Sequence, residues 1–290
     1  SAFFEVFGIV RVERPDVIHA NSSKAAFIGT FIGRLLGVPN IILTVHGWPF
    51  NERRSAFSRL MLTYLMWLAV FLSHKTILVA GHDKTQVSWM PFVQHKLVVI
   101  HNGVQEIDFL SRDEARRALS LQQDILIIGT IAELHKNKGL EYAIKALKKV
   151  RGRFVYAVIG EGDEREKLEE LIKENGLEKV VHLLGQKDEA AKYIKAFDIF
   201  LVPSVKEGFP YVLLEASLAS IPTIATRVGG IPQIIKDKKT GILIDSKQIG
   251  LISDRLNFLI NDKNEREEYR KNLQEEVQSK FSFEKMLKKT

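Results

Sequence analysis

The sequence predicts an α/β protein built on parallel sheets and divided into two domains. Short apolar runs alternate with helical patterns along the chain, which implies parallel strands joined by crossover helices. A length of 290 residues suits two domains of moderate size. The polar segment 105–124, after the Asn102-Gly103 turn, marks the boundary. The reading is an N-terminal domain over 1–105, a second domain over 106–275, and a helical tail over 276–290 that returns toward the first.

The chain opens inside a helical pattern, with Phe3, Phe4, Val6, Phe7, Ile9 and Val10 on repeating positions. Val17-Ile18 and Ile41-Ile42-Leu43 are the first strand candidates. Residues 60–72 form the most apolar stretch, too short to span a bilayer, which needs about 20 residues. It reads as a buried or interfacial helix. Arg53, Arg54, Arg59 and Lys75 flank it, so contact with an anionic membrane stays open. Further strands are expected at 76–79, 97–100, 125–128, 154–159, 180–184, 199–202 and 223–225, and the charged tail after Ile260 reads as solvated helices.

Composition excludes some chemistry. No cysteine is present, so there are neither disulfides nor thiolate metal sites. Lys and Arg number 42 against 35 Asp and Glu, a net charge of +7 that suits anionic nucleotides or a membrane surface and is equally a common solubility feature. Basic residues do not interleave with aromatics along one stripe, which argues against nucleic acid. The eight histidines lack zinc-site spacing, and no Asp-x-Asp pair appears, so no metal is expected.

The most informative stretch is Glu207-Gly208-Phe209-Pro210-Tyr211-Val212-Leu213-Leu214-Glu215. It follows a buried-strand pattern and switches after Gly208 to a buried-helix pattern, with Pro210 suited to a first helical position. A strand, a turn and a helix start together offer free amides and a positive dipole end to an anion. Glu215 then lies about 7 Å along the helix, within reach of a ribose next to a bound diphosphate, and Glu207 sits at the mouth. Two surface glutamates flanking an ordinary turn is the competing reading. Gly160-Glu161-Gly162 lacks the third glycine of a dinucleotide fingerprint and reads as a structural turn.

The 207–215 segment resembles the glutamate–seven–glutamate motif of retaining nucleotide-sugar glycosyltransferases of the GT-B fold, family 4. The likeness continues, in the family's order, through Pro15-Asp16-Val17-Ile18-His19, Leu43-Thr44-Val45-His46-Gly47, Val99-Ile100-His101-Asn102-Gly103-Val104, Lys138-Gly139-Leu140, Val158-Ile159-Gly160-Glu161-Gly162, Ala225-Thr226-Arg227-Val228-Gly229-Gly230-Ile231-Pro232 and Thr240-Gly241-Ile242-Leu243. It implies two Rossmann-like domains facing a cleft and transfer of a sugar from a UDP-sugar, with a GDP-sugar second, to a saccharide or lipid-linked acceptor. It also implies a cytoplasmic enzyme of polysaccharide biosynthesis with no cofactor, and the basic, apolar N-terminal half leaves peripheral contact with the cytoplasmic face of the membrane open. Carried residue by residue, it gives Glu207 and His46 the donor sugar and Lys138 the diphosphate. Gly208, Phe209, Pro210, Tyr211 and Val212 form the phosphate-facing turn, Glu215 holds the ribose, and Gln186 and Lys187 lie near the base.

Two departures matter. The family opens with a strand and a Gly-rich loop some tens of residues before the equivalent of Pro15-Asp16, so the chain reads as N-terminally truncated with an incomplete first domain. Glu133 stands where the family has an arginine; Lys136 is a substitute cation or a plain surface lysine. The alternative function is therefore a non-catalytic nucleotide-binding fragment.

Overall fold

A computed structural model describes residues 2–51 and 55–290. Arg53 and Arg54 lie outside the described residues. The chain divides into two compact units, 1–101 with Thr290, and 102–289.

The first unit contains α1 (Ala2–Glu13), β1 (Val17–Ala20), α2 (Ser23–Leu35), β2 (Asn40–Val45), α3 (Ala56–Leu72), β3 (Lys75–Leu78), α4 (Gly81–Gln86) and β4 (Leu97–Val99). Its four strands are parallel in the order β1-β2-β3-β4. Leu43, Val45 and Leu78 from the sheet pack with Met66, Ala69 and Val70 of α3 and with Trp48, which is fully buried. The Trp48 indole keeps its polar atom satisfied by donating to the Asp83 carbonyl at 2.9 Å. The apolar stretch at 60–72 thus buries one face. Its other face carries Leu60, Met61, Tyr64 and Phe71 exposed.

The second unit contains α5 (Arg112–Ala118), β5 (Leu126–Ile131), α6 (Leu140–Leu147), β6 (Phe154–Ile159), α7 (Arg165–Glu174), β7 (Val181–Leu183), β8 (Ile199–Val202), α8 (Tyr211–Leu218), β9 (Thr223–Thr226), α9 (Ile231–Ile234), β10 (Ile242–Ile244), α10 (Ile249–Asn261), α11 (Lys263–Lys280) and α12 (Phe283–Leu287). The sheet is wholly parallel, in the order β10-β9-β8-β5-β6-β7. Strand order reverses between β5 and β8, the arrangement of a doubly wound Rossmann sheet. Strands covered on both faces read as continuous apolar runs, and all six residues of β6 are buried. A polar thread crosses this core: the Tyr156 hydroxyl donates to Thr130 Oγ1 at 2.8 Å, and Thr130 donates to the Leu201 carbonyl at 2.6 Å. It ties β6, β5 and β8 together, and burial pushes the Tyr156 phenol far above its usual range.

Two expectations are corrected. The charged tail is not merely solvated, because α11 buries Tyr269, Leu273 and Val277 along one stripe at four-residue spacing. A single apolar residue per turn among many charges hides that stripe from a composition-based reading. Pro210 precedes the helix rather than opening it: it caps α8 in an extended conformation (φ −72°, ψ 121°), and the helix starts at Tyr211.

Candidate functional site

In open α/β sheets, ligand crevices form beyond the carboxyl ends of the strands where strand order reverses. In the second unit those ends lead into residues 132–139 after β5 and 203–210 after β8. The two loops are locked backbone to backbone. Val205 and Lys206 both donate their amides to the Asn137 carbonyl, at 2.8 and 3.3 Å. Gly139 has φ +64°, and a Cβ there would sit 2.2 Å from the Pro203 carbonyl oxygen, so glycine alone fits.

This lock sets Lys138 against Glu207. The ammonium lies 2.8 Å from Glu207 Oε1, and the Ser204 hydroxyl donates to the same oxygen at 2.7 Å. The Glu207 side chain is 9% exposed and that of Lys138 28%, so the pair sits in a partly desolvated niche with one open side. Behind Glu207 the chain is held again. Gly230 donates its amide to the Gly208 carbonyl at 2.6 Å, and a Cβ on Gly229 (φ +54°) would lie 1.9 Å from the Glu207 carbonyl oxygen. Asn102 Nδ2 donates to the Phe209 carbonyl at 2.7 Å. Phe209 is buried, with its ring 5.3 Å from that of Phe281.

No side chain caps the start of α8, so its first amides, at Tyr211 and Val212, face outward for water or an anion. One turn further, Glu215 lines a cavity of about 500 Å3 together with Tyr211, Glu189, Lys192, Phe283 and Met286. The Glu215 carboxylate has no hydrogen-bond or ion-pair partner among the described residues. Burial alone raises its pKa above the usual 4.5. Gln186 and Lys187 lie in the loop after β7; neither lines this cavity, although Glu189 in the same loop does.

In the first unit His46 is exposed just past the carboxyl end of β2. Partial desolvation, and second the nearby His19, lower its pKa and keep the imidazole neutral at pH 7. His19 itself shares a 2.7 Å hydrogen bond with Thr44 Oγ1. Glu133 is exposed. Lys136 places its ammonium 3.7 Å from Glu164, so Lys138 and not Lys136 is the cation at Glu207. Gly160 and Gly162 pack against the loop after β5 and carry its turn, with Leu134 donating to the Glu161 carbonyl at 2.8 Å.

Sequence reading did not assign Ser204, Asn102 or Asn137. Asn102 was visible only within a turn and a family motif, Ser204 directly follows a strand and its Pro203 with no pattern of its own, and Asn137 acts through its carbonyl. Their roles depend on contacts across the sheet. Among the described residues no group of three or more His, Cys, Asp or Glu is placed to hold a metal ion.

A doubly wound sheet with an acid–lysine pair and an open helix start at its switch point defines a nucleotide-binding class of α/β protein. Residues 111–276, more than half of the chain, match the family Glycosyl transferases group 1, and residues 1–106 match Glycosyltransferase Family 4. The chain belongs to this glycosyltransferase family. A glycosyltransferase of Methanocaldococcus jannaschii is 30% identical over 283 residues, covering 96% of this chain and 74% of the relative. The Escherichia coli UDP-Gal:alpha-D-GlcNAc-diphosphoundecaprenol alpha-1,3-galactosyltransferase is 26% identical over 274 residues, covering 91% and 71%. Among solved structures, HepE of Anabaena in complex with UDP-glucose superposes with a TM-score of 0.88 at 20% identity, over 99% of this chain and 80% of that one. Sucrose-phosphate synthase of Thermosynechococcus elongatus gives 0.87 at 22%, over 99% and 75%. The fold is therefore that of GT-B glycosyltransferases, with two Rossmann-like parallel sheets.

Proposed function

We propose that the chain transfers a sugar from a nucleotide diphosphate-sugar, a UDP-sugar first, to a saccharide or lipid-linked acceptor with retention at the anomeric carbon. The observation that carries this reading is the Lys138–Glu207–Ser204 cluster at the switch point, beside the uncapped start of α8. Lys138 and the amides of Tyr211 and Val212 balance the diphosphate as negative charge builds on the leaving group. Glu207, fixed by Ser204, accepts hydrogen bonds from the sugar hydroxyls. Glu215 holds the ribose, and Gln186 and Lys187 lie toward the base. His46 is assigned to the donor sugar by the family resemblance.

The reaction joins the acceptor oxygen to the anomeric carbon as the bond to the phosphate oxygen breaks. The acceptor proton passes to the departing phosphate on the same face, which retains configuration. The bound UDP and UDP-glucose of HepE and the galactosyl donor named for the Escherichia coli relative support a UDP-sugar.

Calorimetric titration with UDP, GDP and ADP tests the donor site, with Glu215→Gln as the paired variant. One nucleotide is expected to saturate the wild type. The variant should bind it about tenfold or more weakly, since a charge-assisted hydrogen bond is worth about 1.5–3 kcal/mol. The same variant should melt higher at pH 7.5. Glu215 has a folded-state pKa above its unfolded one, so its favourable contribution is present below 4.5 and is lost as pH rises through the raised value. At neutral pH the ionised, unpartnered carboxylate destabilises the fold, and glutamine relieves that. Near pH 4 the melting difference should vanish. Equal binding in both proteins, or no binding of any of the three nucleotides, rejects the assignment of Glu215 and of the cleft beside it.

A further inference from the structure

A cavity of about 370 Å3 opens in the second unit beside the amino ends of β8 and β9. Lys138 and Glu207 lie beyond the carboxyl ends of β5 and β8, at the opposite end of the same sheet. Cations from three separate elements line the cavity. Arg112 comes from α5, Lys195 from the 3₁₀ turn Ala190–Ala196, and Lys263, Arg266 and Arg270 from α11. The last three are spaced i, i+3 and i+7, so they share one face of that helix. Charge is sorted along α11. Of its five glutamates only Glu267 lines the cavity, against three of its five cations.

The two carboxylates at the cavity, Asp198 and Glu267, are already engaged. Asp198 Oδ2 accepts from the buried Arg116 and from the Ile127 amide, both at 2.7 Å, and Glu267 pairs with Arg270. Lys195 and Lys263 have no ion-pair partner among the described residues; the Lys195 ammonium lies over the Phe109 ring, 5.2 Å from its centroid. Arg266 is half-buried and held in place. Its Nη1 donates to the carbonyls of Leu259 and Ile260, while Nε and Nη2 bond no described residue. Arg266 and Arg270 lie one turn apart, where like charges repel. Ser220, on the same wall, has φ +60°, a left-handed conformation that glycine adopts without strain. Its hydroxyl has no hydrogen-bond partner among the described residues.

We propose that this cavity binds a small molecule carrying two or more linked phosphate groups, at a site separate from the donor cleft. A guanidinium edge pairs with two phosphate oxygens at once, and an ammonium adds a point charge. Arg266 offers the fixed edge, Lys195 and Lys263 the unpaired charge, and Ser220 a hydroxyl donor. The volume suits a small ligand. A lone monophosphate would leave most of the five cations unmatched, whereas a chain of phosphates spans them. Asp198 does not repel the ligand, because Arg116 neutralises that carboxylate from behind. Binding braces α11 against the entries to β8 and β9 and so stabilises the second unit. The cavity uses neither Lys138 nor Glu215, so its failure is distinguishable from failure of the transferase reading.

The test is calorimetric titration of the full chain with inorganic triphosphate, against inorganic monophosphate at matched ionic strength. Triphosphate is expected to bind saturably and at least tenfold more tightly than monophosphate. The double substitution Lys195→Gln, Lys263→Gln should weaken it tenfold or more, with circular dichroism confirming the fold. Lys138→Ala should leave this event within twofold, even if a second event in the donor cleft disappears. Ser220→Gly is the second variant should the double one misfold, and it separates a ligand site from a structural turn. Relief of the left-handed backbone should raise its melting temperature, while loss of the hydroxyl weakens triphosphate severalfold. Absence of saturable binding overturns the proposal, as does either cavity variant that binds like the wild type. So does binding lost in Lys138→Ala alone, which would put the triphosphate in the donor cleft. A single-stranded oligonucleotide that binds more tightly than triphosphate, and is released by the double substitution, overturns it too, because an extended polyanion would then be the occupant.

Discussion

Lys138→Ala is expected to lower turnover by about 10²–10³-fold, the usual consequence of removing one preorganised group that stabilises transition-state charge. The ammonium rests on Glu207 at 2.8 Å, so a diphosphate must compete with that carboxylate for it. This competition separates the two residues experimentally. Lys138→Ala should lose both nucleotide affinity and turnover. Glu207→Gln keeps a hydrogen bond from Ser204 and frees Lys138 from its ion pair, so it should bind UDP at least as tightly as the wild type while losing turnover about as severely. The readouts are calorimetric affinity and the rate of nucleotide release from the donor that titration identifies. The melting temperature should move little for Lys138→Ala, because Glu207 retains Ser204 and an open side to water. If Lys138→Ala retains turnover within threefold of the wild type, or if Glu207→Gln loses affinity as Lys138→Ala does, the pair is only a structural ion pair.

That pairing also shows where the sequence stops being readable. Glu207, Gly208 and Glu215 could be picked out locally, because a strand, a turn and a helix start follow one another without interruption. The strands β5, β6 and β8 were plain for a similar reason: coverage on both faces demands continuous apolar runs. β10 is only three residues long and lies among turn residues, so it was visible as a motif and not as a strand. The meeting of Lys138 with Glu207 spans 69 positions and exists only because β8 lies beside β5 and not beside β7. Non-sequential strand order is a tertiary property, and no periodicity encodes it. Residues 60–72 posed the opposite difficulty. Apolar side chains on all faces of a helix usually mean burial, and hydrophobicity alone does not separate the face that meets Val45 and Leu78 from the face carrying Phe57 and Tyr64.

The polar stretch 105–124, read from the sequence only as the domain boundary, contains α5 with a fully buried arginine. Arg116→Ala is expected to destabilise the second unit by about 3–5 kcal/mol, the scale seen when one partner of a buried ion pair is removed. Its guanidinium donates to the carbonyls of Ala196 (2.9 Å), Gln123 (2.7 Å) and Ile125 (2.9 Å) and pairs with Asp198 Oδ2 at 2.7 Å. Burial lowers its pKa, and Asp198 opposes that shift. Asp198 in turn accepts the Ile127 amide at 2.7 Å, so one side chain ties together the entries to β5 and β8. These are the two strands whose far ends carry Lys138 and Glu207. A methionine of similar size should not rescue the fold. It would leave the buried carbonyls of Ala196 and Ile125 and the half-buried one of Gln123 without this donor, whereas an apolar swap is harmless only when both sides of an interaction go together. Arg116→Lys offers one donor head in place of a fork and should fall between. Urea unfolding followed by far-ultraviolet circular dichroism reports both units, while fluorescence of Trp48, Trp67 and Trp89 reports the first alone, which holds all three tryptophans, so a loss seen by circular dichroism and not by fluorescence belongs to the second. Loss of less than about 1 kcal/mol in Arg116→Ala would mean that water replaces the guanidinium at these carbonyls. The site would then owe its register to the loop contacts at Asn137 and Gly139 alone.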